Sequence, residues 1–168
     1  MTDRPLRITV VGGGRCDTQI ASDAERVGAA IARGGGVVVS GGLGGVMEAA
    51  SRGAIEAGGT TIGVLPGEHA EDANDFVTIP IVTGVGQARN IVNVLTGEAV
   101  VALKGAGGTL SEIAVAVKSN IPVIALNSWS EVDGVLVVDS PEKAAETALE
   151  LARTSRAAGR RPSAWSRP

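Results

Sequence analysis

EAVVALKGAGGTLSEIAVAVKS, residues 98–119, holds three kinds of sequence in a fixed order. Residues 98–103 (EAVVAL) read as a strand, with the continuous apolar run at 99–103 of the kind that is buried on both faces. Residues 104–109 (KGAGGT) supply the glycines of a tight turn, and residues 110–119 read as a helix closed by Asn120-Ile121-Pro122. The same unit recurs upstream. Residues 6–11 (LRITVV) run into Gly12-Gly13-Gly14, and residues 17–33 carry Ile20, Ala24, Val27, Ala30 and Ile31 at helical spacing. Val37-Val38-Val39 leads into residues 40–45 (SGGLGG), after which Val46, Ala50, Ala54 and Ala57 mark a helix stopped by Gly58-Gly59.

The remaining chain continues the alternation. Residues 60–65 form a third strand ending at Pro66-Gly67, residues 66–75 are an acidic loop, and residues 76–82 supply another short strand. Residues 86–95 (GQARNIVNVL) read as a helix with Gln87, Ala88, Arg89 and Asn90 in its first turns. Strands at 123–126 and 135–138 follow, then a helix from Pro141 to about residue 153 with proline in its first turn. Strands and helices alternating about every 25 residues predict an α/β fold. It is a Rossmann-like three-layer sandwich with a mostly parallel sheet, right-handed crossovers and helices on both faces. Ligands of such sheets bind at the carboxyl ends of the strands, and all three glycine turns fall there.

Composition agrees with that layering and excludes other classes. Among 168 residues there are 24 glycines and 44% hydrophobic side chains, while the aromatics are only Phe76, Trp129 and Trp165. Such a core is built of Val, Ile, Leu and Ala, and the want of exposed rings argues against a single-strand nucleic-acid platform. Cys16 is the only cysteine, so no disulfide framework forms. The apolar stretch near the N-terminus is too short for a signal peptide or membrane span, which leads us to expect a cytoplasmic protein without a membrane partner. Residues 1–152 are read as one domain. Residues 153–168 contain five arginines and no acid, leaving ten basic against 18 acidic residues in 1–152. That tail is expected to be disordered; a tether to a phosphate-rich partner is the alternative role.

A glycine turn between strand and helix lets the backbone approach an anion, with free N–H groups and the helix dipole directed at it. Neither established pattern fits. Gly12-Gly13-Gly14 lacks the later glycine of the dinucleotide fingerprint, and Lys104 precedes its glycines, unlike a P-loop lysine. The turns could also be no more than the tight connections of the fold.

Three stretches together carry a resemblance: 40–48 (SGGLGGVME), 87–90 (QARN) and 104–112 (KGAGGTLSE). They resemble the diagnostic segments of the Lonely Guy superfamily, long labelled "possible lysine decarboxylase", over about residues 6–150. The superfamily includes phosphoribohydrolases that release a free base and ribose 5-phosphate from a nucleoside 5′-monophosphate, and a branch resembling molybdenum cofactor carriers. On the enzymes' Pro-Gly-Gly-x-Gly-Thr-x-x-Glu motif, Gly105, Gly108, Thr109 and Glu112 match, while Lys104 replaces the proline and Ala106 a glycine. Arg89 falls on the catalytic arginine, but Asn90 stands where the enzymes usually have lysine. The departures look closer to the carrier-like branch. The resemblance also implies a homo-oligomer, dimer or tetramer, with its site near a subunit boundary.

The residues and the resemblance lead to one candidate site. Arg89 and Glu112 are the candidate catalytic pair; Glu112 could instead be a capping-box partner of Thr109. Gly12, Gly13, Gly41, Gly42, Gly44, Gly45, Asn90, Gly105, Gly107, Gly108 and Thr109 are the candidate ligand-binding residues. Thr109 could cap its helix and also donate to phosphate, Lys104 could add a point charge, and Asp17 could touch a ribose. His69 and Cys16 have no partners at metal-ligand spacing, so no metal is expected. No cofactor is required for these roles. The ligand class is a phosphorylated small molecule, either a nucleoside monophosphate or a molybdopterin-type compound. Binding without turnover ranks first, with phosphoribohydrolase activity and molybdenum cofactor carriage as alternatives. Decarboxylation is set aside: it needs a Schiff-base lysine, and Lys104, Lys118 and Lys143 have no supporting constellation.

Overall fold

The computed structural model of the chain describes residues 4–159. Seven strands, β1 (Leu6–Val11), β2 (Gly36–Ser40), β3 (Thr61–Leu65), β4 (Ile79–Val82), β5 (Ala99–Ala102), β6 (Val123–Leu126) and β7 (Val135–Val138), form one sheet. Its order is β4-β3-β2-β1-β5-β6-β7, with every neighbouring pair parallel. The chain fills the sheet outward from β1 to β4, then returns to β5 on the other side of β1. That reversal between β1 and β5 is the switch point, where the strand ends open a crevice.

The strands show why the sheet needs cover on both faces. Ile8, Val10, Val38, Val101 and Ile124 pack with α1 (Thr18–Arg33), α2 (Val46–Glu56) and α5 (Pro141–Ala157), through Val27, Ile31, Ala50, Ala54 and Ala148 among others. The alternate positions Val11, Val100, Ala102, Val123 and Ala125 pack with Val94 of α3 (Arg89–Thr96) and with Ile113 and Ala116 of α4 (Gly107–Lys118). This period-two split between two cores is what continuous apolar strands permit. No helix among the described residues is long and apolar enough to cross a membrane.

Of the boundaries that differ from the sequence reading, three have a clear physical cause or bear on the site. β4 starts at Ile79 rather than 76, because Asn74 Oδ1 accepts the Phe76 N–H at 3.0 Å and Thr61 Oγ1 donates to the Phe76 carbonyl at 2.6 Å, which holds that segment in a turn. α4 starts at Gly107, with extended Ala106 as its cap and no side chain capping it. α5 runs to Ala157, so the segment expected to be disordered from 153 is helical for its first five residues. Arg153 donates to the Gly34 carbonyl at 3.2 Å, and Arg156 donates to both oxygens of Glu98 at 2.8 and 2.6 Å. These bonds give the basic helix end fixed partners. The rest of the expected tail, 160–168, lies outside the described residues.

Candidate anion-binding cleft

The glycine turns interlock before they can hold anything else. The Gly13 N–H donates to the Lys104 carbonyl at 3.1 Å, and the Gly13 carbonyl accepts from the Val46 N–H at 3.0 Å. The turns after β1, β2 and β5 are thus stitched into one floor. Gly45, at φ 65°, sits where a Cβ would lie 2.4 Å from the Gly13 carbonyl oxygen, so this approach requires glycine. Asn74 fastens the β2 turn from outside, donating from Nδ2 to the Leu43 carbonyl at 2.8 Å and from its N–H to the Gly42 carbonyl at 2.9 Å.

Above this floor lies a cleft of about 270 Å3 at the switch point, lined by the β1 turn, Gly41, Met47, Arg89, Asn90, Asn93, Gly108, Thr109 and Glu112. A larger hollow of about 930 Å3 lies at the opposite, amino end of the strands, bordered by Arg7, Glu98 and Arg156. There the charged groups are committed to one another. In the smaller cleft Arg89 and Glu112 form no ion pair within 4.0 Å among the described residues.

Arg89 opens α3 and is only 6% exposed. Among the described residues it has no ion pair within 4.0 Å, and its Nε is buried without a hydrogen-bond partner. Burial lowers its pKa, with the charge of Glu112 acting in the opposite direction. The guanidinium lies over Gly41, where a Cβ would be 2.2 Å from Nη1; any other residue there would displace it. A buried cation without a paired anion is expensive, so the fold keeps it at a cost in stability.

Glu112 faces the cleft from the second turn of α4 and is also 6% exposed. Burial pushes its carboxyl above the usual range, while the bond from Asn93 and the charge of Arg89 oppose that rise. Asn93 Nδ2 donates to Glu112 Oε1 at 2.8 Å, and Asn93 Oδ1 is buried without a partner among the described residues. Asn93 was not singled out from sequence. The available signal was its place four residues after Arg89, which puts both on one helix face. Thr9, a polar residue inside buried β1, explains the seat of that helix: its Oγ1 donates to the Asn93 carbonyl at 3.0 Å.

The expected site residues divide into two groups. Gly12, Gly13, Gly41, Arg89, Asn90, Gly108, Thr109 and Glu112 line the cleft. Gly42, Gly44, Gly45, Gly105 and Gly107 lie outside its lining and shape the turns. Two details are corrected. Thr109 is the third residue of α4, not its cap, and Glu112 bonds to Asn93 instead of closing a capping box. Asp17 is taken up as the cap of α1, accepting the Ile20 N–H at 2.8 Å. The Lys104 side chain is exposed, and its carbonyl holds Gly13. Asn90 Nδ2 donates to Ser111 Oγ at 3.3 Å, tying α3 to the start of α4.

Chemically, the cleft joins a cation to a helix start. The first helical hydrogen bond of α4 runs from the Leu110 N–H to the Ala106 carbonyl, so the N–H groups of Gly107, Gly108 and Thr109 precede it without intrahelical partners. Fold and cleft define a class: a parallel, Rossmann-like α/β domain with a glycine-floored crevice at its switch point. A model of the SLOG cluster4 family matches residues 5–157, and the chain belongs to that family. It is 41% identical over 139 residues to an uncharacterised protein of Archaeoglobus fulgidus, covering 83% of this chain and 91% of that one. Its structure is similar to that of the molybdenum cofactor binding protein from the phototrophic bacterium Rippkaea orientalis, with TM-score 0.83, 40% identity, and coverage of 87% and 96% of the two chains. It is likewise similar to the Moco carrier protein from Chlamydomonas reinhardtii, with TM-score 0.81, 37% identity, and coverage of 90% and 99%.

Proposed function

We propose that this protein binds a phosphorylated small molecule in the cleft, with the phosphate on the α4 N-terminus and Arg89, and that a molybdopterin-type cofactor is its ligand. The observation that carries the reading is Arg89, a guanidinium 6% exposed with no ion pair among the described residues, beside N–H groups that lack helical partners. An incoming phosphate supplies the missing anion, and the dipole of α4 favours the same charge. The similarity to molybdenum cofactor binding and carrier proteins supports the choice of ligand. The cleft, at about 270 Å3, is near the lower end of the roughly 300–1,000 Å3 usual for small-molecule sites. It suits a phosphate and the part of the ligand next to it, with the rest at the open mouth.

The test is thermal unfolding with molybdopterin, AMP and inorganic phosphate. A ligand at about 100 times its Kd stabilises the native state by about 2.7 kcal/mol and raises the unfolding midpoint. Absence of a shift with every phosphorylated compound overturns the reading.

A second reading, hydrolysis of a nucleoside 5′-monophosphate, is favoured by one feature: the buried carboxyl of Glu112, held above its ordinary pKa next to Arg89. Such a group suits proton transfer or stabilisation of cationic charge developing on a ribose. Free base released from AMP by the wild type and not by Glu112→Ala supports it; equal rates remove it. The exposed apolar side chains Val85, Ile91, Val92 and Leu110 suit the homo-oligomer implied by the family resemblance, and sedimentation would measure its size.

A further inference from the structure

The buried atoms that this cleft leaves unsatisfied are chemically unlike. Arg89 Nε is a donor and Asn93 Oδ1 an acceptor; they lie one turn apart on the same face of α3, and neither satisfies the other. Asn93 is 1% exposed, yet it belongs to the cleft lining. Its orientation is set by its neighbour. In the contact with Glu112 Oε1 the amide nitrogen is the donor, which leaves the amide oxygen on the other side of the group. The Thr9 hydroxyl holds the backbone carbonyl of the same residue and so fixes where the side chain starts.

The oxygens of a doubly ionised phosphomonoester cannot satisfy Asn93 Oδ1, because they only accept and an acceptor needs a donor. We propose that Asn93 is a specificity-determining residue whose Oδ1 accepts a hydrogen bond from an O–H or N–H group on the ligand, adjacent to the phosphate that Arg89 holds. The inference rests on the phosphate-binding reading of the cleft and narrows the ligand to a phosphomonoester with a neighbouring donor. Acceptor-only anions fill half of the site. Asn93 then reads the organic part of the ligand, while Arg89 reads its charge.

Titration calorimetry on the full chain separates these roles. The probes are sulfate as an anion without a donor, ribose 5-phosphate as the hydroxyl donor, and 6-hydroxymethylpterin phosphate as the N–H donor. Asn93→Leu, of similar size and without polar atoms, is expected to weaken binding of at least one organic probe about three- to tenfold, as for loss of one hydrogen bond, while sulfate stays within about twofold. Which organic probe responds identifies the donor. Asn93→Ser, which shortens the side chain out of reach, is expected to show the same selectivity and serves if the leucine variant does not fold. Equal weakening of all three probes, or no weakening of either organic probe, overturns the role of Asn93 and leaves phosphate binding standing. If the wild type binds none of the three, both readings fall together.

Discussion

At the amino ends of the strands, Glu98 is gripped by Arg156 through two bonds of 2.8 and 2.6 Å and by the Arg7 N–H at 3.0 Å, while Arg156 also donates to the Arg4 and Pro5 carbonyls. At the carboxyl ends, Glu112 and Arg89 are buried more deeply, have no ion pair within 4.0 Å among the described residues, and leave Arg89 Nε and Asn93 Oδ1 unbonded. Both regions combine arginine and glutamate at the end of the same sheet. The first spends its charges on closing the fold, since it ties the last helix to the first strand and to the start of β5. The second withholds them. Buried polar groups are normally satisfied, so a cluster of unsatisfied ones marks a place where the partner comes from outside.

The strongest way to break the contrast is Arg89→Leu. Removing an unpaired buried cation is expected to lower affinity for a phosphorylated ligand on the order of 100-fold while leaving the unfolding midpoint unchanged or higher. Calorimetry and thermal unfolding measure the two quantities, and a large loss of stability would show that Arg89 has an internal partner after all. Glu98→Gln is expected to do the reverse, costing about 1–3 kcal/mol of stability through its charged hydrogen bonds, with ligand affinity unchanged. Gly41→Ala places a methyl against the Arg89 guanidinium; affinity should fall several-fold, with about 1 kcal/mol or less lost in stability, because the crowded atoms end a flexible side chain.

The smallest effects are in pH. Burial works against the ionised form of Glu98, but the bonds from Arg156 and Arg7 overcome it and hold its carboxyl below the ordinary range. Its contribution to stability is therefore present above the unfolded pKa and lost as pH falls through the lowered value. Glu112 has the opposite sign. Its carboxyl is held above the ordinary range, so the folded state binds the proton more tightly, and stability declines as pH rises from the unfolded pKa through the raised value. Glu98→Gln should flatten the acidic limb of a denaturation-versus-pH curve, and Glu112→Gln the limb above it. The two limbs exchanging places would sink the contrast.

Much of the frame was legible because its signals are local. β1, β6 and β7 lie where their apolar runs placed them, and each glycine cluster stands between a strand and a helix. Less legible were positions where a local rule competes with a tertiary contact. Thr109 and Glu112 have capping-box spacing, yet extended Ala106 caps the helix and Asn93 claims the carboxylate. Residues 153–157 look like the start of a basic tail, yet Glu98, distant in sequence, holds Arg156 in the helix. Asn93 had only a weak signal, its spacing from Arg89.

By itself the sequence determined the layers: alternating β-branched strands and helices allow a parallel sheet, and glycines at the strand ends open helices toward one edge. Those properties depend on neighbouring residues along the chain. The tertiary structure alone decided which charges are paired, because pairing depends on distances between β1, α3, α4 and α5 that spacing does not encode. It set Glu98 against Arg156 at one end of the sheet, and at the other it left Arg89 and Asn93 each short of a partner among the described residues.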